Sequence, residues 1–373
     1  MAAESLRSVL MTTDTVGGVW TYTLELAREL DARGIRVILA AMGGPVAAHQ
    51  REQLARSPGI LLCESSYLLE WMQDCAADVA TAGRWLLELE REHGPGLVHL
   101  NQFAFGALPF RAPKLVVAHS CVLSWWRAVR GEQAPAEWDP YRRWVREGLA
   151  GVGLVAAPTR WMLQSLAHDH GHAGPGLVIP NGASRREFAP ARKKPRVLAA
   201  GRFWDAAKNL AALERVAPGL EWPVRVAGAC RQPGGGAVVP QGVQCLGELS
   251  REMLAAELAC ASIYALPARY EPFGLSVLEA ALSGCALVLG DIASLRETWG
   301  EAAIYVPPED AAALQAALAR LIADTALRRR LAQAARSRAA RFTPARQCEG
   351  TLAAYARLAP QFAATEGEEL ACA

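Results

Sequence analysis

The sequence predicts two α/β domains of similar size, each built on a parallel sheet, facing one another across a cleft. Three observations predict this. The chain has 373 residues, more than one ordinary hydrophobic core holds. Short apolar runs alternate with longer amphipathic stretches, the pattern of βα units and parallel sheets. The alternation is interrupted by a polar, charged segment with two prolines at 181–195, which reads as a linker and hinge. The resulting division is 1–183 for the first domain, 184–195 for the linker, 196–343 for the second domain and 344–373 for a terminal helical segment.

In the first half, 8–13 reads as a strand, 14–18 as a turn and 19–33 as a helix, with Val19, Tyr22, Leu26 and Leu30 as its apolar stripe. Gly34 ends that helix, and 35–41 is the next strand. Further strands are expected at 97–100, 115–118, 154–157 and 177–179. The second half gives strands at 196–200, 224–227, 243–246, 263–266, 286–289 and 304–306. Helices at 310–322, 327–341 and 344–358 close the chain, and 365–373 reads as a frayed end. Ligands of open parallel sheets bind outside the carboxyl ends of strands. Residues just after strands therefore carry the most weight.

Hydrophobic residues make up 52% and charged residues 20%, which fits a soluble globular protein rather than a disordered one. The net charge of +2 offers nothing global to attract nucleic acid, and none is expected as a partner. Nine cysteines lie singly, without C-x-x-C or a His/Cys cluster of metal spacing. That usage points to a reducing compartment and to no metal. The N-terminus lacks the apolar core of a signal peptide, and no apolar run reaches the ~18–20 residues of a membrane span. A cytoplasmic location is expected.

The chemistry concentrates in two segments of the second half. The first is Arg269-Tyr270-Glu271-Pro272-Phe273-Gly274-Leu275-Ser276-Val277-Leu278-Glu279-Ala280, which follows a strand. A helix is expected to begin near Phe273, where free backbone amides and the helix dipole favour an anion. On one continuous helix, Glu271 and Glu279 would stand about 12 Å apart along the axis. That exceeds the roughly 5–9.5 Å of a glycosidase carboxylate pair. The two suit separate polyol clamps with a phosphate between or beside them, the layout of ribose, diphosphate and sugar.

The second segment is Gly201-Arg202-Phe203-Trp204-Asp205-Ala206-Ala207-Lys208-Asn209, again after a strand. A lysine in a first helical turn opposes the dipole, and an anion there would explain it. Arg202 and Lys208 together would clamp a diphosphate.

Glu-Pro-Phe-Gly-Leu-x-x-Leu-Glu-Ala with Gly-Arg-x5-Lys-Asn resembles the retaining glycosyltransferases of family 4, the group 1 glycosyltransferases. The resemblance covers nearly the whole chain. Thr13–Gly18 looks like the family's first loop, Val117-Ala118-His119-Ser120 like its mid-domain histidine segment, and Ile179-Pro180-Asn181-Gly182 like its turn before the linker. Ser294-Leu295-Arg296-Glu297 resembles its C-terminal section.

The resemblance implies a GT-B fold of two Rossmann-like domains. It gives Glu271 the donor-sugar hydroxyls and Glu279 the ribose. Arg202 and Lys208 take the diphosphate, and Phe273, Gly274 and Leu275 offer backbone amides. Gly17 and Gly18 let the first loop approach the diphosphate, and His119 faces the donor sugar. It also implies retention of configuration, a nucleoside-diphosphate sugar as co-substrate, no other cofactor and no divalent metal; the sequence has no Asp-x-Asp. The terminal helix is implied to pack back on the first domain. The acceptor is a glycan, a lipid-linked sugar or a small molecule.

Some of these residues also have plainer readings. Gly17 and Gly18 also suit a tight turn, and His119 a buried hydrogen bond. Asn181 and Gly182 read as turn chemistry, and Glu297 stands between a cap and a donor contact. His168, His170 and His172 read as a solvated helix end. The stretch 124–146 carries Trp125, Trp126, Trp138 and Trp144 among arginines, which suits an acceptor or peripheral contact with a membrane face. Competing functions are a sugar-nucleotide epimerase of the same architecture and a non-catalytic nucleotide-sugar-binding protein. A redox Rossmann enzyme is a weaker rival still, since no G-x-G-x-x-G follows the first strand.

Overall fold

The computed structural model describes residues 6–55, 57–231 and 235–362. The frayed end expected at 365–373 lies outside the described residues. The first sheet contains β1 (Ser8–Asp14), β2 (Arg36–Met42), β3 (Ile60–Glu64), β4 (Leu97–Leu100), β5 (Lys114–Val117), β6 (Leu154–Ala157) and β7 (Gly176–Val178). Its order is β3-β2-β1-β4-β5-β6-β7. The second contains β8 (Lys194–Ala200), β9 (Val224–Ala227), β10 (Gln244–Cys245), β11 (Ala261–Leu266), β12 (Ala286–Gly290) and β13 (Ile304–Val306), in the order β10-β9-β8-β11-β12-β13. All ladders between these strands are parallel.

Each sheet is covered on both faces by an apolar cluster. That is why most strands read as continuous apolar runs. The strand β3 was not legible: it is a short edge strand with no fully buried residue, so it lacks the signature of its neighbours. β8 begins at Lys194, two residues inside the segment read as linker. The rest of that segment is anchored by Phe188, which is buried in the second core.

The chain order reverses between β1 and β4 in one sheet and between β8 and β11 in the other. These reversals make two crevices at the carboxyl ends of strands. The final helix, Pro344–Leu358, starts on a Thr343 cap and buries Cys348, Ala354 and Tyr355 against the first domain. Its Tyr355 hydroxyl meets His99 Nδ1 at 2.7 Å. Gln347 accepts from the Gly182 amide at 2.7 Å and donates to the Tyr22 carbonyl at 3.3 Å. A Cβ on Gly182 would lie 2.4 Å from the Thr343 carbonyl carbon, so the 181–182 turn serves this crossing.

The two domains touch through directional bonds. Glu297 accepts from the amides of Arg160 (2.7 Å) and Trp161 (2.9 Å), capping a first-domain helix from the second domain. Thr159 Oγ1 donates to the Pro272 carbonyl at 3.0 Å. The Cys121 amide donates to the Tyr270 hydroxyl at 2.9 Å.

Candidate functional site

The site is built on the exits of β8 and β11. Gly201 and Arg202 leave β8, and the Gly201 amide donates to the Ala227 carbonyl at 3.0 Å. Asp205 Oδ1 accepts from the Ala207 amide at 2.9 Å and caps the short turn Ala206–Lys208. Asn209 then takes a left-handed backbone with φ 56, and the helix Leu210–Val216 begins only after it. Lys208 therefore precedes the helix and does not sit in its first turn. Asn209 Nδ2 donates to the carbonyls of Pro267 (2.9 Å) and Pro308 (2.7 Å), tying this turn to the loops after β11 and β13.

Glu271 lies in the loop after β11. Ser294 Oγ donates to its carbonyl at 2.6 Å, fixing its backbone. Gly274 is left-handed at φ 88, so the helix opens at Leu275 rather than near Phe273. Glu271 is thus off the helix and Glu279 on it, and the axial spacing for a continuous helix does not apply. Lys208 Nζ reaches Glu271 Oε2 at 2.6 Å, with both side chains largely buried. The sequence had given these two separate tasks; the fold pairs them. Phe273 is buried with its ring 5.6 Å from that of Phe342, so only its backbone is available to a ligand. The amides opening the helix Leu275–Leu282 have no intrahelical acceptor.

Glu279 is buried, and burial pushes its carboxyl up to about 7, against the pull of Arg251 at 3.6 Å. Arg251 also meets Glu25 and Glu187.

The first domain supplies the opposite wall. Gly17 has φ 92, and a Cβ there would lie 3.5 Å from Arg202 Cδ and Nη1. A Cβ on Gly18 would lie 3.6 Å from Leu275 Cδ1. The first loop therefore rests on Arg202 and on the helix opening. Asp14, at the end of β1, is buried, and burial raises its carboxyl to about 7, with Arg202 pulling the other way.

His119 stands two residues beyond β5, and its Nε2 meets Asn101 Oδ1 at 2.7 Å. Asn101 Nδ2 donates to the Thr12 carbonyl, so Oδ1 is the acceptor and His119 Nε2 carries the proton. Burial, then His99, pushes His119 down to about 3. A neutral ring results, with Nδ1 left as an acceptor. The Tyr22 and His119 rings pack edge to face, with centroids 4.4 Å apart.

Sequence reasoning gave no role to four residues here. Asp14, Asn101 and Asn209 follow or close strand exits, a signal that was present and not used. Arg251 opens a helix with only Ala255 and Leu258 buried, where a charged residue looks like a solvated face.

Other expectations change. Trp125 Nε1 donates to Asp205 Oδ1 at 2.9 Å, across the domain boundary. Trp126, Trp138 and Trp144 pack against the first core. The tryptophans of 124–146 thus point largely inward, leaving arginines such as Arg143 and Arg146 outside. His170 is buried, not solvated: its Nε2 lies 3.1 Å from Cys121 Sγ, and burial lowers it to about 4. Among the described residues no group of three or more His, Cys, Asp or Glu is gathered as metal ligands, and no helix is long and apolar enough to cross a membrane.

The family model described as Glycosyltransferase Family 4 matches residues 16–186, and that described as Glycosyl transferases group 1 matches 194–324. The chain is 33% identical over 193 residues to the glycogen synthase of Mycobacterium tuberculosis, a match spanning 44% of this chain and 45% of that protein. It is 24% identical over 346 residues to the phosphatidyl-myo-inositol mannosyltransferase of Mycobacterium leprae, spanning 85% and 87%. Sucrose-phosphate synthase from Thermosynechococcus elongatus superposes with a TM-score of 0.79 at 19% identity, over 94% of this chain and 99% of that one. Anabaena HepE in complex with UDP and glucose gives a TM-score of 0.72 at 15% identity, over 94% and 100%. The fold is shared with these structures. With both halves matched by family models and both sheets in the GT-B arrangement, the chain belongs to the group 1 glycosyltransferases of family 4.

Proposed function

We propose that this chain moves a sugar from a nucleoside-diphosphate sugar to a glycan, lipid-linked or small-molecule acceptor, with retention of configuration. The observation that carries the reading is one cluster: Arg202 and the Lys208–Glu271 pair at the second crevice, with Gly17 lying directly on Arg202. Breaking the sugar–phosphate bond leaves negative charge on the diphosphate and positive charge at the anomeric carbon. Arg202, Lys208 and the amides at Leu275 stabilise the former before it forms, so little reorganisation is needed. No metal is assigned to that task.

In this reading Glu271 holds sugar hydroxyls and keeps Lys208 in place. His119 Nδ1 accepts from a sugar hydroxyl, and its neutrality suits that role. The departing phosphate oxygen takes the acceptor proton on the same face. Glu279 accepts from the ribose. The complex of Anabaena HepE with UDP and glucose supports a nucleotide-sugar donor here. Peripheral contact of 124–146 with an anionic membrane face now rests on the exposed Arg143 and Arg146. Flotation with anionic vesicles is expected for the wild type and not for the Arg143→Glu/Arg146→Glu variant; no flotation of the wild type removes that contact.

Thermal unfolding against UDP, GDP, ADP, CDP and dTDP tests the donor site. A ligand at a hundred times its dissociation constant adds about 2.7 kcal/mol to the native state. One nucleotide is expected to raise the midpoint of the wild type and not of Lys208→Ala. If none acts on the wild type, the transferase reading loses its support.

The ribose contact has a pH signature. Glu279 titrates at about 7, and a ribose hydroxyl donates best to the ionised carboxylate. Affinity is therefore full above that pH and weakens as pH falls through it, by at most about tenfold per unit. Calorimetry from pH 8 to 6 should show this decline. Glu279→Gln should reduce it, leaving the shares due to Asp14 and to the last ionisation of the nucleotide's own terminal phosphate, at about pH 6; an unchanged slope removes Glu279 from the ribose.

A further inference from the structure

Arg251 is the centre of an ion cluster that the donor chemistry does not require. Its Nη2 donates to Glu25 Oε1 at 2.9 Å and to Glu187 Oε2 at 2.7 Å, and its Nε donates to Glu187 Oε1. Its Nη1 lies 3.6 Å from Glu279 Oε1. The guanidinium also stacks over Phe188, 5.1 Å from the ring centroid. The three carboxylates come from three parts of the molecule. Glu25 is on the first helix of the first domain, Glu187 is in the segment between the domains, and Glu279 is on the donor-site helix.

The side chains of Arg251, Glu25 and Glu279 are 12%, 8% and 7% exposed and that of Glu187 is 27% exposed, so three acids share one cation, two of them largely away from water. Such a cluster is poor value as packing: apolar residues of the same volume usually stabilise as well or better. Buried ion clusters find their best-attested use in fixing a register or a switch.

The geometry around Glu279 is more specific. Arg251 makes hydrogen bonds to Glu25 and Glu187, but at 3.6 Å only an ion pair to Glu279. The Glu279 carboxylate accepts no hydrogen bond from any described residue (its backbone carbonyl accepts from the Ser283 amide), so its side-chain oxygens are oriented by charge yet left open to an incoming donor.

We infer that Arg251 is a positioning residue that joins the ribose contact to the closure of the two domains. It rests on the reading of Glu279 as the ribose-binding carboxylate. Arg251 aims Glu279, and the same guanidinium grips Glu25 of the opposite domain and Glu187 of the segment between. The aimed carboxylate and the closed cleft therefore form together. A nucleotide that uses Glu279 selects the closed arrangement, and closure readies Glu279 for the nucleotide.

The test is calorimetry of the full chain with UDP, GDP and ADP and with the 2′,3′-dideoxy form of each. The wild type should prefer the ribose form of its nucleotide by about tenfold or more, the range of hydrogen bonds to a charged acceptor. Arg251→Gln should lose most of that preference while binding the dideoxy form within about threefold of wild type. Arg251→Lys keeps the charge but not the fork, and should lose it too, which decides the matter if the glutamine variant does not fold. A full wild-type preference in either variant overturns the positioning role, since a merely structural residue would weaken both nucleotides alike. A wild type that binds without any ribose preference overturns the ribose reading itself, and this inference with it. Small-angle scattering of the unliganded protein tests the closure. Glu25→Gln and Arg251→Lys should both enlarge the radius of gyration, and unchanged curves for both overturn the link between domains.

Discussion

Lys208→Ala is expected to lower kcat by about 10²–10³, the usual loss when one preorganised donor to a developing anion is removed. The stability of this variant needs separate treatment, because the structure pairs Lys208 with Glu271 at 2.6 Å in a largely buried site. Removing the cation leaves a carboxylate without its partner, which costs up to about 3–5 kcal/mol where burial is complete and less here. Loss of activity alone would therefore be ambiguous. The double variant Lys208→Ala/Glu271→Gln removes the stranded charge. Its melting temperature should recover most of the way to wild type while its turnover stays at or below the level of Lys208→Ala, since Glu271 also holds the donor sugar in the proposed reading. Turnover that recovers along with stability would show that Lys208 serves the fold and not the leaving group.

Gly228→Ala should strongly destabilise the second domain. Gly228 follows β9 at φ 136, a backbone conformation open to glycine and rarely to other residues. A Cβ there would lie 2.0 Å from the Gly201 carbonyl oxygen and 2.9 Å from its carbon. Both atoms are backbone, so no side chain can swing away. The Gly228 amide also donates to the Gly247 carbonyl at 2.7 Å, which pins the residue from its other side. Backbone strain of about 1–3 kcal/mol adds to overpacking of about 1–3 kcal/mol. The carbonyl that must move belongs to Gly201, immediately before Arg202, so surviving protein should also bind nucleotide poorly. Gly34→Ala is the control, with φ 76 and nothing within 4 Å of the added Cβ. It should cost only about 1–2 kcal/mol. Equal costs for the two in urea unfolding would show that the Gly201 contact relaxes freely.

Much of the candidate site was legible before the fold. Arg202, Lys208, Glu271 and Glu279 were placed after strands by apolar periodicity, and their residue types suggested anion and polyol binding. Local punctuation was read less well. Gly274 and Asn209 each delay a helix through a left-handed backbone, which moves one opening from near Phe273 to Leu275 and leaves Lys208 ahead of the helix Leu210–Val216. A glycine announces that freedom in sequence without saying whether it is used, and an asparagine announces it less clearly. The tryptophans of 124–146 were ambiguous for a related reason: composition cannot tell an indole bonded to Asp205 from one facing outward.

The sequence by itself determined the alternation of strands and helices, the division into two halves and the residues at most strand exits. These follow from burial, which repeats with the period of each element and is written locally. Only the tertiary structure decided the partners. Lys208 and Glu271 are 63 positions apart, and Arg251 and Glu25 are 226 apart. Charge pairs over such separations leave no period in the chain. They exist because parallel sheets bring the exits of distant strands to one edge, and because two such edges close on each other.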